Sequence, residues 1–344
     1  MGEETKVKAK LICDRVRRIY GEESIVDITK LNAWEVENKI STQNILLDIM
    51  LGGGIPRGRV VEVYGDEGSG KTTLCLHLSA EVQRNGGMVA FIDAEHALDF
   101  KYARALGVNT DELILSQPDY AEQGLNVAGE LVKAGVDLVV VDSVAALVPK
   151  AEIEGQIGDQ YIGLQARLMS QAMRMVVGAV NRSNSVLIFT NQVRDKVRTW
   201  GASSEETPGG RALKFYSSIR VRLKKKEDIL EGGMNVGSRI VAKTVKNKVF
   251  PPYKEALVDI RYGKGFSKEG AMLDTAVELG LISKKGSWYY PDIEDAEFKV
   301  QGRSGAIEWL EQNADKYYLI DQAVRDEIYK KGAGVVEVSS DERE

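Results

Sequence analysis

A glycine-rich segment at residues 65–72 carries the strongest chemical signal in the chain. It fits the pattern Gly-x4-Gly-Lys-[Ser/Thr], in which backbone N–H groups converge on phosphate oxygens, the lysine neutralises the β- and γ-phosphates and the hydroxyl binds Mg²⁺. The predicted nucleotide contacts, including the first residue of the following helix, are Gly65, Asp66, Glu67, Gly68, Ser69, Gly70, Lys71, Thr72 and Thr73. An apolar run precedes the segment and a helical stretch follows it, as the motif requires. The sequence therefore predicts a site for ATP and Mg²⁺.

Two acidic residues follow other apolar, strand-like runs. Asp142 ends the run Leu138–Val141, and Glu95 comes directly after the segment 91–94. Ligands in open α/β sheets bind at the carboxyl ends of the strands, so Asp142 is predicted to orient Mg²⁺ and Glu95 to activate the attacking water. Taken alone, an Asp at a strand end is more often a helix cap, and Glu95 could be a solvated loop carboxylate. Together with the glycine-rich segment at 65–72, which has the pattern of a P-loop, they indicate a nucleoside-triphosphate hydrolase. Kinases, helicases, transporters and sensors share this class.

The elements that position these residues alternate between apolar runs and helical stretches from Arg59 to Arg222. Such alternation is typical of a mostly parallel sheet with helices on both faces. The predicted strands are Val60–Tyr64, Met88–Ile92, Leu138–Val141, Val186–Thr190, Ile219–Leu223, Arg239–Val245 and Glu255–Ile260. Ahead of this core, residues 4–19 have the apolar spacing of an amphipathic helix, and residues 24–28 form a strand-like run. That helix and strand pack either on their own domain or on a neighbouring subunit.

Composition limits the possible classes of protein. Hydrophobic residues make up 43% of the chain and charged residues 28%, and no apolar run is long enough to cross a bilayer. The first residues lack the apolar core of a secretory signal, so a cytoplasmic protein without a membrane partner is expected. Cys13 and Cys75 stand far apart without metal-ligand spacing, which argues against a disulfide framework or zinc site. The formal net charge of −5 means that any DNA partner must be bound by local loops.

Two stretches interrupt the alternation of strands and helices. Residues 152–163 and 195–210 are polar, contain glycine and have no useful periodicity. Long irregular loops inside a compact α/β domain are usually functional or mobile. Beyond Gly265 the composition changes to a helix-rich region, with predicted helices at Glu269–Leu281 and Gly305–Gln312, and the chain ends in a short acidic tail.

Several longer motifs resemble the bacterial RecA family of recombinases. They are FIDAEHALD at 91–99, VDSVAALVPKAEIEG at 141–155, SQAMR at 170–174, GGRALKFY at 209–216 and VKNK at 245–248. The similarity runs from about Ser41 to about Leu310 and is weaker before and after. Two departures from the usual family pattern are Ile162, where many relatives have Met, and Arg211, where Asn is more usual. They are what a divergent or phage-encoded member would show.

The resemblance implies an α/β fold built on a RecA-type P-loop core with a mostly parallel twisted sheet. It implies an N-terminal oligomerisation helix and strand at 1–32, the core at 33–264, a small C-terminal α/β domain at 265–332 and an acidic tail at 333–344. The implied protein is an ATPase that forms a homo-oligomeric helical filament on single-stranded DNA, pairs it with homologous duplex and exchanges strands. Single-strand-binding and mediator proteins are implied partners, and a co-protease role in the DNA-damage (SOS) response is left open.

The resemblance also assigns roles to individual residues. Asp99 and Tyr102 are the implied adenine contacts, with Tyr262 and Gly263 nearby. Gln192 is the implied sensor of the γ-phosphate, and Lys246 and Lys248 reach the nucleotide of the adjacent subunit, as an arginine finger in trans does. A Lys-x-Lys pair alone is usually a solvated strand face. The two irregular stretches correspond to the DNA-binding loops of the family, and the implied contacts are Ile162, Gly163, Arg167, Ser170, Arg174, Arg194, Lys196, Arg198, Gly209, Gly210 and Arg211.

Three other functions compete with recombination. A ring helicase or switching ATPase would use the same core but lack both DNA loops in this form. A small-molecule kinase would need an acceptor pocket, for which the sequence contains no motif. A non-catalytic DNA-coating protein would be favoured if Glu95 were absent, and it is present.

Overall fold

The computed structural model describes residues 3–21, 38–156, 161, 163–193, 207–293, 296 and 298–330. The chain forms two compact units that divide between Asn38 and Lys39. The first contains α1 (Glu3–Tyr20), which confirms the predicted N-terminal helix. The strand predicted at 24–28 and the acidic tail at 333–344 lie outside the described residues. None of the helices in the described ranges is long and apolar enough to cross a membrane.

The second unit begins with a short antiparallel pair of strands around a helix. β1 (Lys39–Ile40) pairs with β2 (Ile55–Pro56), and α2 (Ile45–Leu51) lies between them in the chain. The side chain of Asn44 caps the first turn of α2 by accepting backbone N–H groups. Gly52 ends α2 with a left-handed backbone, and a Cβ there would collide with the ring of Phe250.

A nine-stranded sheet forms the centre of this unit, with the spatial order β11-β10-β9-β8-β3-β7-β6-β4-β5. Its strands are β3 (Arg59–Gly65), β4 (Val89–Asp93), β5 (Ile114–Ser116), β6 (Leu138–Asp142), β7 (Val186–Gln192), β8 (Ile219–Glu231), β9 (Met234–Asn247), β10 (Glu255–Arg261) and β11 (Gly265–Phe266). The pairs from β8 across to β5 are parallel, and those from β8 to β11 are antiparallel. The predicted mostly parallel sheet is confirmed, and so are all seven predicted strands.

Helices cover both faces of the parallel strands. They are α3 (Lys71–Arg84), α4 (Phe100–Ala105), α5 (Ala121–Lys133), α6 (Lys150–Ile153), α7 (Leu164–Ser183) and α8 (Ala212–Tyr216). Along β6, Leu138 and Val140 belong to the apolar cluster that contains α3, whereas Val139 and Val141 belong to the cluster that contains α5 and α7. Because both faces are buried, the strand is apolar at successive positions rather than alternately.

The strand ends bring the predicted chemistry to one edge of the sheet. In the parallel register Gly65 lies opposite Gln192, and Asp93 lies opposite Asp142. The P-loop, the end of β6 and the end of β7 therefore meet at the carboxyl edge, where ligands of open α/β sheets bind.

The region after β11 is built of helices and a small antiparallel sheet. Its elements are α9 (Lys268–Glu278), β12 (Ile282–Lys285), β13 (Trp288–Pro291), β14 (Val300–Gln301), α10 (Arg303–Gln312) and α11 (Ala314–Lys330). The helix predicted over 269–281 ends at Glu278, because Gly280 takes a left-handed backbone with φ 76° and terminates it. Buried residues of α9, α10 and α11 belong to the same apolar cluster as α2 and α3.

A buried histidine joins α3 to the segment after β10. Nε2 of His77 accepts the N–H of Phe266 at 3.0 Å, and its Nδ1 lies 3.3 Å from Oε1 of Gln43. The neutral tautomer with its proton on Nδ1 satisfies both contacts. Burial, with the added effect of the charges on Lys268 and Arg84, lowers the pKa of His77 from 6.5 to about 4. Folding therefore favours the neutral ring.

Mild acid is expected to destabilise the fold through His77. The unfolded state binds the proton below pH 6.5, whereas the folded state resists it until about pH 4. The stabilisation is therefore complete above pH 6.5 and is lost as the pH falls toward 4. From pH 7 to 5 this group should lower the free energy of unfolding by about 2 kcal/mol.

Urea unfolding at both pH values measures this effect. The His77→Gln variant should lose less stability on acidification than the unsubstituted chain does. His96→Gln changes the other, exposed histidine and should retain the original pH dependence. An unchanged dependence in His77→Gln would show that the buried ring is not responsible.

Candidate active site

The P-loop connects β3 to α3 through a backbone that only glycine can adopt at its key positions. A Cβ at Gly65 would overlap the carbonyl oxygen of Leu223 in β8. Gly70 precedes the first turn of α3 with φ 91°, and a Cβ there would lie 2.5 Å from Cδ1 of Ile260. Gly68 also has a positive φ of 67°, but a Cβ at this residue would meet nothing within 4 Å. Tight packing therefore fixes both ends of the loop while its middle is open.

Lys71 is the first residue of α3 and folds back over the loop. Its Nζ donates to the carbonyl oxygens of Gly65 at 3.1 Å and Asp66 at 2.7 Å. Burial lowers the pKa of Lys71, and the nearby carboxylates of Asp142 and Glu95 act in the opposite direction. The ammonium thus lies among the acidic residues that the sequence predicted for the same site.

Asp142 is held by hydroxyl groups from two elements. Oδ2 accepts the Thr72 hydroxyl at 2.6 Å, and Oδ1 accepts the hydroxyl of Thr190 in β7. Burial raises the pKa of Asp142, while the two hydrogen bonds lower it. The structure thus brings together Thr72 and Asp142, the two residues that the sequence predicted to bind Mg²⁺. Thr190 was not predicted, although a lone hydroxyl residue near the end of an apolar strand was a usable signal.

Glu95 lies in the loop after β4, beside the end of β6. Its Oε1 accepts the hydroxyl of Ser143, the residue directly after Asp142. The N–H of Ala94 donates to the backbone oxygen of Asp142 at 2.8 Å, which ties the two loops together. Glu95 itself is exposed, so a water molecule can reach its carboxylate. Ser143 is a second positioning residue that sequence reasoning did not identify.

The adenine candidates occupy two places. The Tyr102 hydroxyl lies 3.0 Å from Oγ1 of Thr73, and burial raises the pKa of Tyr102. Asp99 caps α4 by accepting the N–H groups of Lys101 and Tyr102, so one of its oxygens already has a structural role. Tyr262 and Gly263 follow β10, which β9 and β8 separate from β3 in the sheet, and Tyr262 is exposed.

The predicted γ-phosphate sensor and the predicted lysine pair lie in different parts of the sheet, at the end of β7 and at the end of β9. Gln192 ends β7 opposite Gly65, and its N–H donates to Oδ1 of Asn191 at 3.0 Å. Lys246 in β9 donates to the carbonyl oxygens of Lys214 at 2.7 Å and Phe215 at 3.0 Å, at the end of α8. Burial lowers the pKa of Lys246, and the charges of Lys248 and Arg220 lower it as well. Lys248 is exposed.

Part of the predicted DNA contacts lies outside the described residues, namely Ile162, Arg194, Lys196 and Arg198. Gly163 precedes α7 with φ 74°. Arg167 and Arg174 are exposed on α7, and the Ser170 hydroxyl donates to the carbonyl of Ala166 at 2.8 Å. The structure therefore places Arg167 and Arg174 in solvent, where they can meet an anionic ligand.

The glycine pair that closes the second irregular stretch packs closely on the core. Gly209 and Gly210 have φ values of 83° and 73°, and exposed Arg211 follows them at the start of α8. Nδ2 of Asn191 donates to the carbonyl of Pro208 at 3.0 Å and to Oε1 of buried Glu62 at 3.2 Å. Asn191 was not predicted, yet it joins the end of β7 to the end of this stretch.

Two family models match this chain, one over most of its length and one near its C-terminal end. Residues 7–267 match the family model "RecA N-terminal domain", and residues 270–329 match "RecA C-terminal domain". The chain is similar to Protein RecA of Halalkalibacterium halodurans, with 52% identity over 330 residues, which cover 95% of this chain and 93% of that protein. It is similar to Protein RecA of Bacillus subtilis, with 50% identity over 95% of this chain and 94% of the relative. Protein RecA of Enterococcus faecalis is 50% identical over 95% of this chain and 93% of its own length.

Proposed function

This chain belongs to the RecA family, and from that premise we propose how its residues carry out ATP-dependent recombination of DNA. As a RecA recombinase it is a DNA-dependent ATPase that binds DNA and forms filaments. The observation that best supports our assignment of residues is the cluster at the carboxyl edge of the sheet. There the P-loop, the bond between Thr72 and Asp142 and the bond between Ser143 and Glu95 lie together.

The loop is suited to a nucleoside triphosphate with Mg²⁺. The hydroxyl oxygen of Ser69 is fully buried in it and has no hydrogen-bond partner among the residues that the structure describes, so a donor or acceptor is available to a ligand. Lys71 would hold the β- and γ-phosphates, and Thr72 and Asp142 are the residues that would hold Mg²⁺. The metal supplies charge neutralisation on the phosphates when it is bound. The remaining P-loop contacts come from residues 65–70 and Thr73.

Glu95 acts as the base that orients and deprotonates water. Its bond to Ser143 fixes one carboxylate oxygen, so the other is free to meet the water molecule. Gln192 senses the γ-phosphate from the strand beside Gly65. Asp99, Tyr102, Tyr262 and Gly263 contact the adenine.

Hydrolysis is completed between subunits of the filament. Lys246 and Lys248 lie on or just after β9 and reach the nucleotide of the adjacent subunit, where they stabilise negative charge. In the isolated chain the ammonium of Lys246 is bound to carbonyl oxygens at the end of α8. Assembly would exchange those bonds for a phosphate contact, which makes turnover a property of the filament.

The DNA contacts hold the phosphates of a single strand and, after homologous pairing, of a duplex. They come from both loops: Ile162, Gly163, Arg167, Ser170 and Arg174, then Arg194, Lys196, Arg198, Gly209, Gly210 and Arg211. Binding is independent of base sequence and weakens with salt, because cations and backbone N–H groups meet phosphates rather than base edges.

We also propose domain boundaries at residues 32, 264 and 332. The proposed location is the cytoplasm, and the proposed partners include single-strand-binding and mediator proteins. A co-protease role in the DNA-damage response is part of the same proposal. The domain boundaries, the partner proteins and the co-protease role rest on the family resemblance.

Single-stranded DNA should raise the rate of ATP hydrolysis by about tenfold or more, the size of a typical allosteric coupling. A phosphate-release assay with and without an oligonucleotide measures this. A strand-exchange assay with ATP and with a slowly hydrolysed analogue then shows whether the ATPase acts on DNA as proposed. Equal turnover with and without DNA, together with no exchanged product, would refute the proposal.

A further inference from the structure

One glutamine amide holds together three segments that the proposed function treats separately. Gln165 is the second residue of α7, immediately after the first irregular stretch. Its Nε2 donates to the carbonyl oxygens of Val144 at 2.8 Å and Leu147 at 2.9 Å. Its Oε1 accepts the N–H of Gly209 at 3.2 Å. Both amide protons and one oxygen lone pair are thus used, all by backbone groups of other segments.

The first of those segments continues directly from the nucleotide site. A single 3₁₀ turn, Val144–Ala146, follows Asp142 and Ser143. Asp142 is bonded to the P-loop through Thr72, and Ser143 is bonded to Glu95. A shift of the backbone that carries these two side chains would therefore move the adjoining carbonyl groups, to which Gln165 donates.

The second segment is the end of the other irregular stretch, and it packs against Val144 and the start of α7. A Cβ at Gly209 would lie 2.9 Å from Cγ1 of Val144, and a Cβ at Gly210 would lie 2.7 Å from Cβ of Ala166. The glycine pair is therefore in close contact with the turn after β6 and with the first turn of α7. Closely packed contacts of this kind transmit a displacement instead of absorbing it.

We propose that Gln165 is a positioning residue that couples the two DNA loops to the nucleotide site. Its amide makes the start of α7, the turn at Val144 and the glycine pair shift as one unit, so both loops adopt their DNA-binding arrangement together when ATP is bound. This rests on the proposed function, because it names a regulatory contact of that same ATPase. Because Gln165 acts through the backbone groups that its amide holds, it is a positioning residue and not a catalytic one.

The test compares single-stranded DNA affinity in the presence of ADP and of a slowly hydrolysed ATP analogue. The ratio of the two Kd values measures the coupling. Gln165→Met, which keeps the side-chain length but loses all three hydrogen bonds, should reduce this ratio about tenfold. Gln322→Met is the matched control, because it changes an exposed helical glutamine of the C-terminal region whose amide, within the described part of the chain, bonds only to Tyr318. It should leave the ratio unchanged.

A merely structural role predicts a different result. In that case Gln165→Met would weaken DNA binding equally with both nucleotides, and an unchanged ratio would overturn the inference. If that variant does not fold, Gln165→Glu decides, since it keeps the acceptor for Gly209 but places a carboxylate against two carbonyl oxygens; a ratio equal to that of the unsubstituted chain would again overturn it. Failure of the proposed function itself would show differently, as an unsubstituted chain whose ATP turnover does not respond to DNA.

Discussion

Replacing Lys71 with alanine is expected to reduce DNA-stimulated ATP turnover by at least about 100-fold, because one preorganised cationic donor to the transferring phosphate is lost. Nζ of Lys71 lies over the P-loop, where it donates to the carbonyl oxygens of Gly65 and Asp66. Among the described residues, no other lysine donates a hydrogen bond to this loop. Steady-state phosphate release at saturating ATP and DNA measures the loss.

Lys133→Ala is the matched control for this substitution. Lys133 is an exposed residue of α5 in a surface pair with Glu130, at 2.7 Å, and such pairs contribute little to stability. The control should retain the original turnover and melting temperature. If Lys71→Ala hydrolysed ATP at the original rate, the phosphate site would have to be assigned to other residues.

Replacing Glu95 with glutamine is expected to reduce turnover by about 100-fold or more while nucleotide and DNA binding persist, because only the proton acceptor is removed. The amide keeps the size of the side chain, and its oxygen can still accept the hydroxyl of Ser143. The predicted pattern is thus a large fall in kcat with little change in the affinity for ATP. Single-turnover hydrolysis and a separate nucleotide-binding titration distinguish the two.

Glu112→Gln provides the comparison for Glu95→Gln, because it removes the same charge from an exposed residue of the same unit. Its turnover should match that of the unsubstituted chain. A Glu95→Gln protein that hydrolysed ATP normally would exclude this carboxylate as the base. Loss of nucleotide binding in that protein would instead assign Glu95 to the binding of ATP.

The sequence predicted most of the parallel core because its signals are local. The run Leu138–Val141 is apolar at every position, as a strand covered on both faces must be, and the structure confirms it. The last helix, α11, was not predicted individually, although Tyr317, Ile320, Val324 and Ile328 have helical spacing. Ile320 and Val324 are fully buried against the main apolar cluster, so packing adds to a pattern that was already present.

The candidate site was only partly accessible from the sequence. The P-loop and Asp142 were found because the motif is contiguous and the aspartate ends an apolar strand. Thr190 and Ser143 were not found, since their roles depend on partners 48 residues away in each case. Asn191 bonds to both Glu62 and Pro208, which lie still farther apart in the sequence. The spacing of residues within a short segment cannot indicate such contacts.

By itself the sequence determined the nucleotide-binding chemistry of this protein, because the glycines, Lys71 and Thr72 act through a backbone conformation that eight consecutive residues specify. Only the tertiary structure decided which groups surround that chemistry. The parallel register sets the end of β7 beside the P-loop, and the packing of Gly209 on Val144 leaves a position that the Gln165 amide bridges. Strand order and packing between distant segments produce these contacts, so the proposed connection between the nucleotide site and the DNA loops depends on the fold.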